Sequence, residues 1–158
     1  MFECSQRSSK WGVLLYSLLM MSAASEAVSR GRQARDKGQF SVAREHYAEA
    51  ARLYREQSDV LTYAHTIRHI ADICQQEGNP KQAQPLYEEA LEIYRSNLNT
   101  KLLDLANTVR PYALLIEEQG NSALATKLWE EARNLYGSLR IYEGVSECER
   151  HISRLQQF

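Results

Sequence analysis

The stretch Gly78-Asn-Pro-Lys-Gln-Ala83-Gln-Pro-Leu-Tyr87-Glu-Glu-Ala90-Leu-Glu-Ile93-Tyr94 decides how the chain is read, because its landmarks occur three times. Glycines stand at Gly38, Gly78 and Gly120, spaced 40 and 42 residues apart. Five residues after each comes an alanine (Ala43, Ala83, Ala125), and nine after comes a large aromatic (Tyr47, Tyr87, Trp129). Twelve after, alanine returns (Ala50, Ala90, Ala132), followed by an aliphatic–tyrosine pair (Leu53-Tyr54, Ile93-Tyr94, Leu135-Tyr136). Seven before each glycine lies a small residue: Gly31, Ala71 and Ala113. Columns kept through three copies at a near-constant period mark a repeat architecture.

The spacing within each copy has a mechanical meaning. Small and aromatic residues recur at three, four and seven, so both halves of a unit read as amphipathic helices. Each glycine sits where the first helix must stop, because a helix C-terminus favours a left-handed residue that glycine adopts cheaply. The second helix opens with cap chemistry: Asn79 before Pro80, and Asn121 after Gly120. The expected helices are 10–37, 41–56, 59–77, 80–96, 101–119 and 122–136, with Gly137 as a stop. A last helix near 140–157 carries Ile141, Val145, Cys148, Ile152 and Leu155 on one stripe, with Glu143, Glu147, Glu149, Arg150 and Arg154 opposite. Such a one-sided helix suits the end of a stacked array. Pro85 and Pro111 fall inside helices, where each removes one backbone hydrogen bond, so local bends are expected there.

The order of small residue, Gly, Ala, aromatic and Ala resembles the tetratricopeptide repeat. The period near 42, with Ala83-Gln-Pro-Leu-Tyr-Glu-Glu-Ala-Leu-Glu-Ile93, is most similar to the longer kinesin-light-chain type of unit. The resemblance covers roughly residues 25–138 and is weakest in the first copy. There Arg30 stands where a large apolar residue is usual, and Ala27 where an aromatic is common. It implies an all-α fold: a right-handed α-solenoid of three antiparallel helix pairs (25–138) with a C-terminal capping helix (139–158).

Residues 1–24 form a separate segment. Arg7 and Lys10 precede the apolar run from Trp11 to Met21, and Ser22-Ala-Ala24 follows. That is the order of a secretory signal or anchor. The alternative is an apolar helix packed on the first repeat. A cytoplasmic protein is the expectation, with an exported or membrane-anchored one the alternative if 1–24 is a signal.

Composition narrows the function classes. The chain has 158 residues, 44% hydrophobic and 25% charged, which excludes disorder and a collagen-like sequence. A formal net charge of -1 argues against a nucleic-acid binder led by phosphate neutralisation. Three scattered cysteines, Cys4, Cys74 and Cys148, give no CxxC and read as reduced thiols. No phosphate-loop or nucleophile motif occurs, and no cofactor is expected. His65 and His69 are four apart but have no evident third ligand, so no metal site is expected and a plain surface is the better reading. His46 and His151 are isolated and are expected to be exposed.

What remains is interaction chemistry. Stacked helix pairs present a concave surface suited to an extended or helical segment. In repeats of the resembled type, groove residues come from the first helices. Here that gives Arg32 and Arg35, then His65, Arg68, Asp72 and Gln75, then Asn107, Arg110, Leu114 and Glu117. His65-Thr-Ile-Arg-His-Ile-Ala71 lines up with Asn107-Thr-Val-Arg-Pro-Tyr-Ala113, placing Arg68 and Arg110 at matching positions. Such guanidiniums can clamp partner carboxylates, or they can pair with the chain's own acids such as Asp72 or Asp104. Related domains that grip chaperone tails use a clamp of Lys, Asn, Asn, Lys and Arg. The matching positions hold Val28, Arg32, His69, Asn107 and Pro111, so that partner class is rejected. The expectation is a non-enzymatic protein-interaction module taking a protein or peptide segment of acidic or mixed charge. The alternative is a self-associating structural subunit, a homo-oligomer joined through the apolar N-terminal segment or the terminal helix.

Overall fold

The computed structural model describes residues 3–157, with side chains from residue 12 onward. They form an all-α helical repeat: α1 (Glu3–Asp36), α2 (Phe40–Glu56), α3 (Val60–Gln76), α4 (Pro80–Ser96), α5 (Leu102–Glu118), α6 (Ser122–Ser138) and α7 (Tyr142–Leu155). Two compact units divide the chain, Met1–Thr66 and Ile67–Phe158, with α3 shared between them.

Helix length explains the period. Each of α2 to α6 has 17 residues. Two such helices with two three-residue turns repeat every 40 residues; the five-residue connection 97–101 lengthens one interval to 42. α4 and α5 run unbroken through Pro85 and Pro111.

Five of the six turns share one device. Gly38, Gly78 and Gly120 are left-handed, with φ of 72°, 73° and 81°. Ser58 and Arg140 take the same conformation, with φ of 58° and 59°. In every case the next residue's N–H reaches back to a carbonyl five residues earlier, as from Asn79 to Cys74 (2.8 Å) and from Ile141 to Tyr136 (2.9 Å). This doubly bonded turn satisfies carbonyls that a helix end leaves open. Gly137 is not the stop expected of it: α6 continues to Ser138, and the reversal falls at Arg140. The left-handed turn follows register, and at two turns it is filled without glycine. The fourth connection differs, since the Thr100 hydroxyl donates to the Tyr94 carbonyl at 2.7 Å. Asn121 accepts from the Leu124 N–H as a cap, whereas Asn79 makes no side-chain bond. There Pro80 opens the helix with φ already set.

In the first unit α1 packs on α2 through Ala24, Ala27, Gly31 and Ala34 against Ala43, Tyr47, Ala50 and Leu53. A Cβ at Gly31 would meet the Tyr47 ring at 3.1 Å, so the small residue of this column is a condition for the ring's seat. The first copy's departures fit this packing: Ala27 is buried, while Arg30 points out and pairs with Glu26. Residues 12–23 do not cover a face of the repeat. Val13, Leu14, Leu15, Tyr16, Leu18, Leu19 and Met21 all stand exposed, contrary to the packed-helix reading of this segment.

The second unit holds a core that includes Ala83, Tyr87, Val109, Ala113, Leu115, Trp129 and Ala132, all at most 1% exposed. Fully burying a large apolar side chain contributes roughly 1.5–3 kcal/mol, so the aromatic column is its main anchor. α7 closes the unit as expected. Cys148 and Ile152 are buried, and Ile141, Val145 and Leu155 pack at their edge. Burial pushes the Cys148 thiol up to about 11, so it stays protonated. The terminal helix therefore spends its apolar stripe inside the unit.

Register also sets α7 apart from α5. α5 buries Ala106, Val109, Ala113 and Ile116. Forty residues on, α7 and its C-cap have Ser146, Glu149, Ser153 and Gln156 at the corresponding places, all exposed. A face that would receive another helix is polar instead, which is what a capping helix requires. Replacing these four by Ala, Val, Ala and Ile is expected to add concentration-dependent association to that of the wild type, read by light scattering. Ser58→Gly and Arg140→Gly should each stabilise by about 1 kcal/mol, and Gly120→Ala should destabilise by about 1–2 kcal/mol, read from urea midpoints.

Candidate partner-binding face

The residues expected to line a groove fall on first helices of both units. In the first unit Arg32 is exposed on α1, Arg35 pairs with Asp36 (3.2 Å), and His65 is half-buried on α3. In the second unit α3, α5 and α7 carry Arg68, Asp72, Gln75, Asn107, Arg110, Leu114 and Glu117 together with groups from α7.

The second helices hold this face from behind. The Tyr87 hydroxyl lies 2.8 Å from Asp72 Oδ1 and 3.0 Å from Gln75 Oε1. The Trp129 indole N–H donates to Glu117 Oε2 at 2.8 Å, and the Tyr136 hydroxyl donates to Asn107 Oδ1 at 3.0 Å. Gln75 and Glu117 occupy equivalent positions, so the same arrangement recurs in successive pairs. A ring fills the space between helices while its polar end fixes a groove residue. The sequence columns mark these aromatics by spacing only; the signal for their second role is the alignment of each polar tip with an acceptor on the preceding helix. Leu114 packs at the core's edge.

Both arginines of the matched pair hold carboxylates of the chain itself. Arg68 Nη1 donates to Asp72 Oδ2 at 2.7 Å, one helical turn away, and the pair is largely shielded from water. Arg110 grips Glu147 of α7 with both arms, Nε to Oε2 at 2.7 Å and Nη2 to Oε1 at 2.6 Å. The bidentate bond holds the Glu147 carboxyl below its ordinary range. Arg110 is 46% exposed and Arg68 only 14%, so the first is the accessible member.

Glu117 gathers donors from α6 and α7. Besides Trp129 it meets His151 Nδ1 at 2.8 Å and the Arg154 guanidinium. His151 is not the exposed residue expected. Its ring stacks on Trp129, centroids 4.0 Å apart and planes 19° apart, and the side chain is 17% exposed. Burial opposes ionisation of Glu117, but the bonds from Arg154, His151 and Trp129 outweigh it and hold the carboxyl below its usual 4.5. Glu147, His151 and Arg154 of α7 thus complete the face, although Glu147 and Arg154 read in sequence as a solvated surface. Counting on by 40 from Asn107 and Leu114 leads to Glu147 and Arg154, the signal that would have found them.

A carboxylate held below its unfolded value stabilises the fold above about pH 4.5, and that contribution is lost as pH falls through the folded value. Glu117→Ala is therefore expected to cost about 1–3 kcal/mol at neutral pH, where it also leaves the Trp129 N–H without its acceptor. The penalty should shrink in acid, where wild-type Glu117 is protonated, as read by urea unfolding at several pH values.

Comparison with known proteins agrees with this geometry. Residues 22–96 match a family model described as tetratricopeptide repeat. No curated protein sequence matches the chain. The N-terminal domain of stress-induced protein-1 (STI-1) from C. elegans superposes with a TM-score of 0.64 at 18% identity, covering 82% of this chain and 97% of that one. The TPR2B domain of yeast Sti1, solved in complex with pHsp70, gives 0.68 at 15% identity over 86% and 98%. BtubC (BKLC) from P. vanneervenii gives 0.63 at 16% identity over 85% and 63%. Residues 22–96 thus match the tetratricopeptide repeat, and the described chain has the helical-repeat fold of tetratricopeptide-repeat structures.

Proposed function

We propose that the chain is a non-enzymatic interaction module that binds a protein or peptide segment on the first-helix face of its second unit. The observation that carries this reading is the pairing on that face. Arg68–Asp72, Arg110–Glu147 and Glu117 with Arg154 present fixed charges of both signs on α3, α5 and α7. Asp72, Glu117 and Glu147 are each held by donors, which suits fixed recognition better than proton transfer. The yeast Sti1 domain with bound pHsp70 supports a protein ligand for this fold. Its partner is not extended to this chain, whose clamp positions depart from the chaperone-tail pattern.

A purely acidic segment would have to displace Asp72 or Glu147 from its arginine. A segment carrying both signs exchanges one pair for another and leaves no buried charge unmatched, so mixed charge is favoured over acidity alone. Arg110 and Glu147, the more exposed pair, form the entry point.

Peptides selected from a displayed library against the wild-type chain provide the test. Arg68→Glu combined with Arg110→Glu should weaken the selected binders by roughly tenfold or more. Undiminished binding by a variant that keeps its helical circular dichroism would place the binding surface elsewhere.

A further inference from the structure

We propose that residues 12–23 are a retained segment that enters the hydrocarbon of a lipid bilayer, tethering the repeats to a membrane surface. The inference is independent of the partner-binding face and begins with helix register. α3 and α5 each have 17 residues and end two residues before their glycine. α1 also ends two residues before Gly38, but it is 34 residues long. By register the first helix of the first repeat begins at Met20, and residues 3–19 are an extension of that helix.

The register bears on whether the extension is removed. The small residues of the cleavage-like Ser22-Ala-Ala24 belong to the repeat. Ala24 lies 14 residues before Gly38, as Ala64 does before Gly78 and Ala106 before Gly120, and all three are fully buried. The repeat match itself begins at residue 22. Cleavage after Ala24 would cut inside the first repeat's helix and remove a core residue. The extension therefore stays with the mature chain.

What covers it follows from the distribution of apolar side chains. Val13, Leu14, Leu15, Tyr16, Leu18, Leu19 and Met21 are 53–70% exposed. At 100° per residue, near-consecutive positions point in every direction around the helix axis. A helix that docks in a protein groove needs one apolar stripe; one apolar all round suits surroundings that are apolar on every side. No charged residue occurs from Trp11 to Ser25. Downstream, Ala24, Ala27, Gly31 and Ala34 already face α2, so lipid is offered only the part before Ala24. The 13 uncharged residues 11–23 rise about 20 Å as helix, short of a hydrocarbon core of about 30 Å. Local thinning of the bilayer accommodates a stretch of this length.

Flotation of the full-length chain with phosphatidylcholine vesicles tests the proposal. Wild-type protein should float and remain bound at high salt. Leu15→Glu with Leu19→Glu should lower the floated fraction at least tenfold, by order of magnitude, while leaving the helical signal and unfolding midpoint unchanged. A measurement on the wild type needs no variant: vesicles with brominated acyl chains should quench Trp11 and spare the buried Trp129. Wild-type protein that stays at the bottom of the gradient, as a monomer or as an oligomer of copies joined through α1, overturns the proposal. So does a mature chain whose intact mass corresponds to a start at Ser25, or a double variant that floats as wild type does.

Discussion

Each helix pair depends on an aromatic ring laid against a neighbouring helix that offers it little side chain. Tyr47 against Gly31 shows the constraint most directly, since one added carbon would already crowd the ring. The ring sets the distance between two 17-residue helices, and the alanine columns admit that distance. The left-handed turn then has to reverse the chain within three residues. Any larger residue in the small column would separate the pair and leave its neighbours poorly packed.

The same rings connect the core to the first-helix face. Tyr87, Trp129 and Tyr136 bury their bodies in the core and extend a hydroxyl or N–H to Asp72, Gln75, Glu117 and Asn107. Face residues are therefore held by the core and not by the surface alone. α7 completes the arrangement from the other side, supplying Glu147 to Arg110 and Arg154 and His151 to Glu117. Side chains held this way have restrained rotamers and little conformational freedom left to lose.

Much of the fold was legible because helix pairs leave periodic traces. Alanines and aromatics at fixed distances from Gly38, Gly78 and Gly120 located the helix bounds to within two residues, except the start of α1, which lies at Glu3 and not near residue 10, and five backbone turns repeat one geometry. Gly137 misled because composition suggested a stop where register did not supply one. Ser58 and Arg140 went unnoticed because neither residue type announces a left-handed turn. On the face, the positions of Arg68 and Arg110 were legible but their partners were not. Arg68 has its carboxylate one turn away, a local pairing; Arg110 reaches Glu147 37 residues on.

By itself the sequence determined the repeat, its all-helical character and the residues that make up each helix face. These depend on contacts within a helix or across one turn, which periodicity records. Only the tertiary structure decided which aromatic tips anchor residues of the first-helix face, that α7 shares its charges with α5, and that the apolar side chains between Val13 and Met21 stand exposed. Those outcomes depend on how one helix face lies against the next, where side chains far apart in the chain exchange water for one another.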